Sequence, residues 1–168
     1  MGYKEKLNQI TTFIFDVDGV LTNGQVYILD NEKVRSINSR DGFALRYSSK
    51  MGYNIFVITG GDSKSLKNHL LDNGVKEVIL KSSKKIDAYN DLKLRYNFQD
   101  SEVLYMGDDL PDYQVLKQVG LSACPQDAAV EVKQISDYQS PYNGGRHCVR
   151  DVIEQVLRVQ GKWNFIQI

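Results

Sequence analysis

The chain has 168 residues, enough to bury a hydrophobic core as one domain without disulfides or a structural metal. Its 21 basic and 21 acidic side chains give a formal net charge of zero, which argues against a nucleic-acid or membrane-surface binder. No stretch approaches the roughly 18 apolar residues of a membrane span, and the first residues lack a signal-peptide pattern, so we expect a cytoplasmic protein.

Short apolar runs alternate with amphipathic segments along the chain. The runs are rich in β-branched and aromatic residues, as strands covered on both faces should be. They are TTFIFDV, NIFVIT, KEVIL, EVLYMG and GLSACP. The segments between them, which have apolar residues at helical spacing, are GFALRYSSKMG, DSKSLKNHLLDNG, KKIDAYNDLKLRY and PDYQVLKQVG. This order predicts an α/β fold with a doubly wound parallel sheet, as a single domain over residues 1–168.

Two segments stand outside this alternation. Residues 23–38 read NGQVYILDNEKVRSIN, in which QVYIL and KVRSI flank a turn-like centre, and they predict a β-hairpin flap after the first strand. A last helix is predicted in VRDVIEQVLRVQG. The tail from Lys162 to Ile168 is too apolar to be only a solvated end. We expect it to dock on its own subunit or on a neighbour.

The first strand ends in two carboxylates, Asp16 and Asp18, followed by Gly19. Ligands bind at the carboxyl ends of the strands in an open α/β sheet. Two carboxylates near one point are unfavourable unless a cation or a proton lies between them. An isolated Asp-x-Asp often only caps a turn, but the apolar strand before it and Gly-Val-Leu-Thr after it favour a functional site.

A second strand is followed by Thr59, Gly60 and Gly61, where a hydroxyl and exposed N–H groups can hold phosphate oxygens. Taken alone, this pattern is also that of a simple turn. Lys85 stands at the start of a predicted helix, where a single lysine is commonly solvated, as its neighbour Lys84 illustrates.

A third strand is followed by Asp108, Asp109 and Asp112. These carboxylates would repel one another unless they bind a hard cation, and oxygen ligands suit Mg²⁺. The alternative is that Asp109 or Asp112 caps the helix that follows.

The order Asp-x-Asp, Thr, Lys, Gly-Asp-Asp, each at a strand end or a helix start, resembles the haloacid dehalogenase superfamily over nearly the whole chain. The resemblance implies a Mg²⁺-dependent phosphatase in which Asp16 is the nucleophile and Asp18 the general acid and base. It further implies that Asp16, Asp108 and the main-chain carbonyl of Asp18 ligate the metal.

The same resemblance implies roles for the remaining motif residues. Thr59 and Lys85 would bind the phosphoryl oxygens, and Lys85 would offset the clustered negative charge. Asp109 and Asp112 would orient the groups around the metal ligands. Lys85 is preferred to Lys84 because it immediately precedes an apolar residue, as in the family pattern.

The spacing of the motifs leaves no room for a cap domain. Asp16 and Thr59 are 43 positions apart and Thr59 and Lys85 are 26 apart, and the predicted elements fill both intervals. An open site must accept a bulky substrate or borrow a lid from a neighbouring subunit. The hairpin at residues 23–38 is the candidate flap.

Longer motifs, FDVDGVLTNG, NSRDGF, YMGDDLPDYQVL and YNGGRHCVRDVIEQVL, resemble the capless sugar-acid phosphatases of the superfamily. This resemblance implies a small sugar-acid phosphate substrate of lipopolysaccharide synthesis and a homotetramer with sites shared between subunits. Arg40 is implied to contact a sugar carboxylate. The alternative for Arg40 and Asp41 is a surface ion pair or a helix cap. The residues implied to bind substrate, besides Asp18, Thr59 and Lys85, are Asn38, Ser39, Arg40, Asp41, Gly42, Arg46, Gly60, Gly61, His69 and Arg146.

Two positions depart from the group's pattern, which often has arginine where this chain has Gly61 and His69. The loss of these two cations would mean weaker substrate binding, compensation by Arg146 or Lys64, or a different sugar acid. Gly61 favours an eight-carbon over a nine-carbon sugar acid. Other readings are a broad-specificity phosphatase, or a regulatory or assembly module without turnover. A phosphomutase is disfavoured because an open site lets water reach an aspartyl-phosphate.

Overall fold

A parallel sheet runs through the computed structural model, which describes residues 2–30 and 33–164. The strands in chain order are β1 Thr12–Phe15, β2 Tyr27–Ile28, β3 Lys33–Val34, β4 Asn54–Ile58, β5 Glu77–Ile79, β6 Val103–Met106, β7 Leu121–Cys124 and β8 Tyr138–Gln139. β2 and β3 pair antiparallel as a separate hairpin. The other strands form one sheet in the order β5-β4-β1-β6-β7-β8, with every neighbouring pair parallel.

Helices cover both faces of this sheet. They are α1 Tyr3–Leu7, α2 Ser39–Lys50, α3 Lys64–Asp72, α4 Lys85–Tyr96, α5 Tyr113–Gln118, α6 Val130–Ile135 and α7 Cys148–Val159. Because side chains alternate along a strand, Phe13 and Phe15 of β1 join the core beneath α2 and α7. Ile14 between them joins the opposite core, which contains Tyr89 of α4 and Val115 of α5. The predicted doubly wound α/β fold is confirmed, and no cap domain is inserted in the described part of the chain.

The elements that the sequence did not predict are short. They are α1 with five residues, α6 with six and β8 with two. Fewer than two turns of helix, or one pair of strand residues, carry too little periodicity to be recognised from the sequence. β8 nevertheless extends the sheet by pairing with β7 at Ala123 and Cys124.

The predicted hairpin and tail are only partly within the described residues. The hairpin exists, with two-residue strands, and its centre at Asn31 and Glu32 lies outside the described part. In the tail, Trp163 is 6% exposed and packs edge-on against Tyr47 of α2, with ring centroids 5.0 Å apart. The tail therefore docks on its own subunit at this residue, and residues 165–168 lie outside the described part.

The topology fixes where chemistry can occur. β1 lies between β4 and β6, so the three loops that leave the carboxyl ends of these strands meet at one edge of the sheet. These loops carry the carboxylates after β1 and β6 and the Thr-Gly-Gly after β4. None of the helices among the described residues is long and apolar enough to cross a membrane.

Candidate active site

Asp16 follows the last residue of β1 and begins a tight loop. Its backbone N–H donates to the Met106 carbonyl at 3.1 Å, so the residue still extends the pairing with β6, while its side chain is buried. Gly19 in this loop has φ +91°, a conformation that favours glycine. A Cβ at Gly19 would lie 2.0 Å from Oδ2 of Asp108. The glycine therefore lets the loop after β1 approach the carboxylate after β6.

Lys85 bridges two buried carboxylates. Its Nζ lies 2.8 Å from Oδ1 of Asp16 and 2.7 Å from Oδ1 of Asp112, and its side chain is only 5% exposed. The same Asp112 oxygen accepts a hydrogen bond from the Tyr105 hydroxyl. Burial alone lowers the pKa of the Lys85 ammonium, but the two carboxylates outweigh this and raise it. Lys85 is therefore a charged residue, and the neighbouring Lys84 is an exposed one.

One ammonium does not neutralise the acidic cluster. Carboxylate oxygens of Asp16, Asp108 and Asp112 all lie within 4.8 Å of one another. Burial, followed by the charges of the neighbouring carboxylates, raises the pKa of Asp108 above its ordinary value. Burial and the charge of Asp112 likewise raise the pKa of Asp16, against the opposing effect of Lys85. Three ionised carboxylates around one ammonium would carry excess negative charge, and the raised pKa values of Asp16 and Asp108 reflect this.

The residues present fit a magnesium ion. Oδ1 of Asp108 is buried and has no hydrogen-bond partner among the described residues, as expected for an oxygen that ligates a cation. Both oxygens of Asp112 have protein donors, Oδ1 from Lys85 and Tyr105 and Oδ2 from the Asp108 N–H, whereas Lys85 contacts only Oδ1 of Asp16. Asp16 and Asp108 are therefore the carboxylates available for a metal. Hard oxygen donors of this kind suit Mg²⁺. The cluster thus contains the two predicted carboxylate ligands.

Asp109 and Asp112 also have structural contacts. The side chain of Asp109 accepts a hydrogen bond from the Leu110 N–H at 2.8 Å and caps the short 3₁₀ turn Leu110–Asp112. Oδ2 of Asp112 accepts from the Asp108 N–H at 3.3 Å. The cap interpretation is therefore correct for Asp109, whereas the Asp112 side chain makes no cap hydrogen bond to α5 and instead holds the loop before it. The orienting role of both residues stays a prediction.

A cleft of about 310 Å³ opens over the acidic cluster. Thr59 stands at its wall, where Oγ1 accepts a hydrogen bond from the Gly61 N–H at 3.0 Å. The structure brings the chemistry-bearing motifs together here, because the predicted residues that line the cleft are Asp16, Asp18, Thr59, Gly60, Gly61, Lys85, Asp108, Asp109 and Asp112.

Asp18 lies in the same cleft but outside the acidic cluster. Its carboxylate accepts two hydrogen bonds from Arg35 of the hairpin, from Nε at 2.6 Å and from a terminal guanidinium nitrogen at 2.9 Å. The hydrogen bonds to Asp18 raise the pKa of Arg35, so this guanidinium remains charged. The two carboxylates of the Asp-x-Asp motif thus have different partners: Lys85 contacts Asp16, and Arg35 contacts Asp18.

The predicted substrate residues around the start of α2 occupy several environments. Asn38 caps α2 by accepting from the Arg40 N–H at 2.9 Å. Asp41 is fully buried and accepts from the Arg150 N–H in the first turn of α7 at 2.8 Å. Arg40 lines a separate cavity beside Arg150, and Gly42 is buried. This set is therefore not gathered in the cleft above Asp16, and its substrate role stays a prediction.

The remaining predicted residues lie on the outside. Ser39 and Arg46 are exposed on α2, and Arg146 is exposed in the segment before α7. His69 of α3 is exposed and lines a third cavity together with Arg35.

The structure also places residues at the site that the sequence did not single out. The signal for Arg35 is a charged residue in the predicted hairpin segment KVRSI. The signal for Tyr105 is a hydroxyl within the buried strand β6. Ser82 and Ser83 line the cleft between β5 and α4, where no pattern marks them. Gly144 packs against the loop after β1, since a Cβ there would lie 2.0 Å from the Gly19 carbonyl oxygen.

The fold and the site define a haloacid dehalogenase-like hydrolase. A family model with this description matches residues 63–153. Among curated proteins, the 3-deoxy-D-manno-octulosonate 8-phosphate phosphatase KdsC of Escherichia coli strain K12 is 34% identical over 158 residues, which cover 94% of this chain and 84% of that protein. The chain therefore belongs to the haloacid dehalogenase-like hydrolases, and within them it is a phosphatase similar to KdsC.

Solved structures agree with this assignment. The phosphatase of the same name from Yersinia pestis matches with a TM-score of 0.92 and 32% identity, covering 95% of this chain and 87% of that one. The Moraxella catarrhalis phosphatase, solved with a magnesium ion, a phosphate ion and KDO, matches with a TM-score of 0.92 and 27% identity. That match covers 95% of this chain and 92% of the other.

Proposed function

We propose that this protein hydrolyses the phosphate monoester of 3-deoxy-D-manno-octulosonate 8-phosphate, releasing the sugar acid and phosphate. The observation that carries the proposal is the buried cluster of Asp16, Asp108 and Asp112 bridged by Lys85, at the base of an open cleft. The similarity to KdsC over 94% of the chain supports the choice of substrate.

The first half of the reaction forms an aspartyl-phosphate. The carboxylate of Asp16 attacks phosphorus, and the bond from phosphorus to the sugar oxygen breaks. Asp18 donates a proton to the departing oxygen. The Lys85 ammonium, 2.8 Å from Asp16, offsets the negative charge that gathers as the phosphoryl group approaches two further carboxylates. The Thr59 hydroxyl donates to a phosphoryl oxygen at the wall of the cleft, while the Gly61 N–H holds its oxygen in place.

The second half releases phosphate. Asp18, now ionised, takes a proton from water, and the resulting hydroxide attacks phosphorus and restores the Asp16 carboxylate. Mg²⁺, held by Asp16, Asp108 and the main-chain carbonyl of Asp18, would neutralise phosphoryl charge throughout. The absence of a cap domain leaves water free to enter, which suits hydrolysis rather than transfer of the phosphoryl group to a second sugar.

The experiment is phosphate release, with Mg²⁺ and with EDTA, from the eight-carbon substrate, a nine-carbon sugar-acid phosphate and a panel of ordinary sugar phosphates. A Mg²⁺-dependent preference in kcat/KM for the eight-carbon ester is expected. A preference for the nine-carbon ester, or equal rates across the panel, would replace the substrate assignment. No release from any ester would favour a module without turnover.

The nucleophile is tested separately. Asp16→Asn is expected to lose turnover on every substrate while keeping the thermal stability of a folded protein. Asp91→Asn is the matched control, because Asp91 is an exposed aspartate whose side chain contacts Arg95 on the same helix. Substantial residual turnover in the Asp16 variant would remove this residue from its assigned role.

The proposal extends to the oligomeric state and the cellular location of the protein. We expect a cytoplasmic homotetramer in which a neighbouring subunit helps to close each site. Exposed apolar side chains of the hairpin, among them Tyr27 at 59% and Ile28 at 79% exposure, provide a surface for such contacts. Analytical ultracentrifugation of the protein at micromolar concentration tests the tetramer.

A further inference from the structure

Among the described residues of the hairpin, Arg35 is the one whose side chain bonds to a residue of the catalytic cleft, Asp18. Its side chain is 8% exposed, although the neighbouring residues of β3 are exposed. The guanidinium forms a two-point contact with both carboxylate oxygens of Asp18, at 2.6 and 2.9 Å. A planar fork of this kind fixes both the position and the orientation of a carboxylate.

Because Gly61 has no side chain, it leaves space for the guanidinium of Arg35. A Cβ at Gly61 would lie 3.3 Å from the terminal guanidinium nitrogen of Arg35 and 3.4 Å from Oγ1 of Thr59. A side chain at position 61 would therefore press on the guanidinium nitrogen that donates to Asp18. The loop after β4, the hairpin and the loop after β1 meet at this single guanidinium.

The other contacts of Asp18 are too weak to hold its side chain. The Thr22 hydroxyl lies 3.5 Å from Oδ1, at the limit of a hydrogen bond, and the side chain is 33% exposed. Without Arg35, the carboxylate would sample several rotamers in water. A proton donor works only within hydrogen-bond reach of the leaving oxygen, so such freedom would lower the rate of proton transfer.

We propose that Arg35 is a positioning residue that holds the Asp18 carboxylate in line with the leaving oxygen, and that Gly61 provides the space for it. The inference rests on the proposed function, since it assigns a purpose to a contact with the proposed general acid. It couples the hairpin to catalysis, because displacing the hairpin from the cleft would also move the guanidinium away from Asp18.

The test compares leaving groups. Arg35→Ala is expected to lower kcat for the sugar-acid phosphate by about 100-fold, with KM changed by less than about threefold. With p-nitrophenyl phosphate, whose leaving group departs without a proton, the loss in kcat should be less than about tenfold. Equal losses on the two substrates, a rise in KM in place of a fall in kcat, or no loss would each overturn the proposal.

Matched variants separate positioning from charge and from folding. Arg35→Lys keeps the charge but not the fork, so it should recover only part of kcat on the sugar substrate. Lys33→Gln removes an exposed cation of β3, two positions before Arg35, and should leave kcat unchanged. Thermal unfolding of each variant checks folding. If Arg35→Lys equals the wild type, or if Lys33→Gln matches Arg35→Ala, the two-point contact is not what matters.

A double-mutant cycle tests the part assigned to Gly61. Gly61→Ala should lower kcat on the sugar substrate in the wild-type background and have no further effect in Arg35→Ala. An equal effect in both backgrounds would place the cause at Thr59 and overturn the role of Gly61. Failure of the proposed function is recognised separately, because the wild type itself would then release no phosphate from the sugar substrate.

Discussion

Replacing Lys85 by methionine tests the electrostatic account of the acidic cluster. Methionine keeps most of the side-chain volume but removes the ammonium that lies 2.8 Å from Asp16 and 2.7 Å from Asp112. Breaking a buried ion pair on one side costs about 3–5 kcal/mol. Because the carboxylates left behind can take up protons, we expect the lower end, about 3 kcal/mol. For a chain of this size that is a fall in Tm of about 6–12 °C.

Mg²⁺ should restore part of this loss. A cluster that has lost its ammonium is more negative and binds a divalent cation more tightly, so the rise in Tm on adding Mg²⁺ should be larger in Lys85→Met than in the wild type. The same variant should lose about 10²–10³-fold in kcat/KM. Lys84→Met is the control, because Lys84 is exposed and its replacement should change stability by less than about 0.5 kcal/mol.

The measurement is differential scanning fluorimetry of the three proteins in EDTA and in a Mg²⁺ series. An unchanged Tm for Lys85→Met in EDTA, together with a Mg²⁺ response equal to that of the wild type, would refute the reasoning. It would mean that the carboxylates are not held together against their repulsion by Lys85.

Three further predictions concern the surroundings of this cluster. Gly19→Ala forces a non-glycine residue to φ +91° and places a Cβ 2.0 Å from Asp108. We expect a loss of at least about 1–2 kcal/mol in the free energy of unfolding, measured in urea. Most of the Mg²⁺-dependent phosphate release should be lost as well. Asp41→Ala should cost about 1–2 kcal/mol in urea unfolding, because the Arg150 N–H in the first turn of α7 loses its acceptor. The raised pKa of Asp108 means that this group retains a proton in the metal-free folded protein where it is ionised in the unfolded chain, so its contribution to stability should fall as pH rises from about 4 to about 8. Since Mg²⁺ binds the ionised carboxylates, its effect on Tm should be larger at pH 8 than at pH 5.

A specific result would contradict each of these predictions. A Gly19→Ala variant with wild-type turnover would show that the approach of the two loops is dispensable. An Asp41→Ala variant with unchanged stability and a raised KM would favour the substrate role over the cap. Equal Mg²⁺-induced shifts in Tm at both pH values would mean that protons and the metal do not compete for Asp108.

The sequence alone predicted the parts of the molecule that have strong local patterns. β1 and β6 are continuous apolar runs followed by carboxylates, and their meeting at one sheet edge follows from the parallel order of the strands. Lys85 was distinguishable from Lys84 only by the family pattern. The structure then shows a buried Lys85 between two carboxylates, a property set by tertiary packing.

What the sequence did not predict depends on contacts between distant segments. The pairing of Arg35 with Asp18 joins positions in a hairpin and a loop, and no periodicity connects them. Asp41 was predicted at the substrate, but its burial against α7 depends on how α2 packs on that helix. The tight approach of Gly144 and Gly145 to the loop after β1 exists only once α7 is in place, so no local pattern predicts it.

That approach has a consequence for how the protein becomes active during synthesis. Gly144 follows Gly19 by 125 positions (144 − 19), and its neighbour Gly145 donates a hydrogen bond to the Val20 carbonyl at 2.8 Å. Contacts of such long sequence separation form late, because the intervening chain must first be ordered. In a nascent chain, Asp16 therefore emerges early, but the loop after β1 gains its contacts with Gly144 and Gly145 only after most of the protein has left the ribosome.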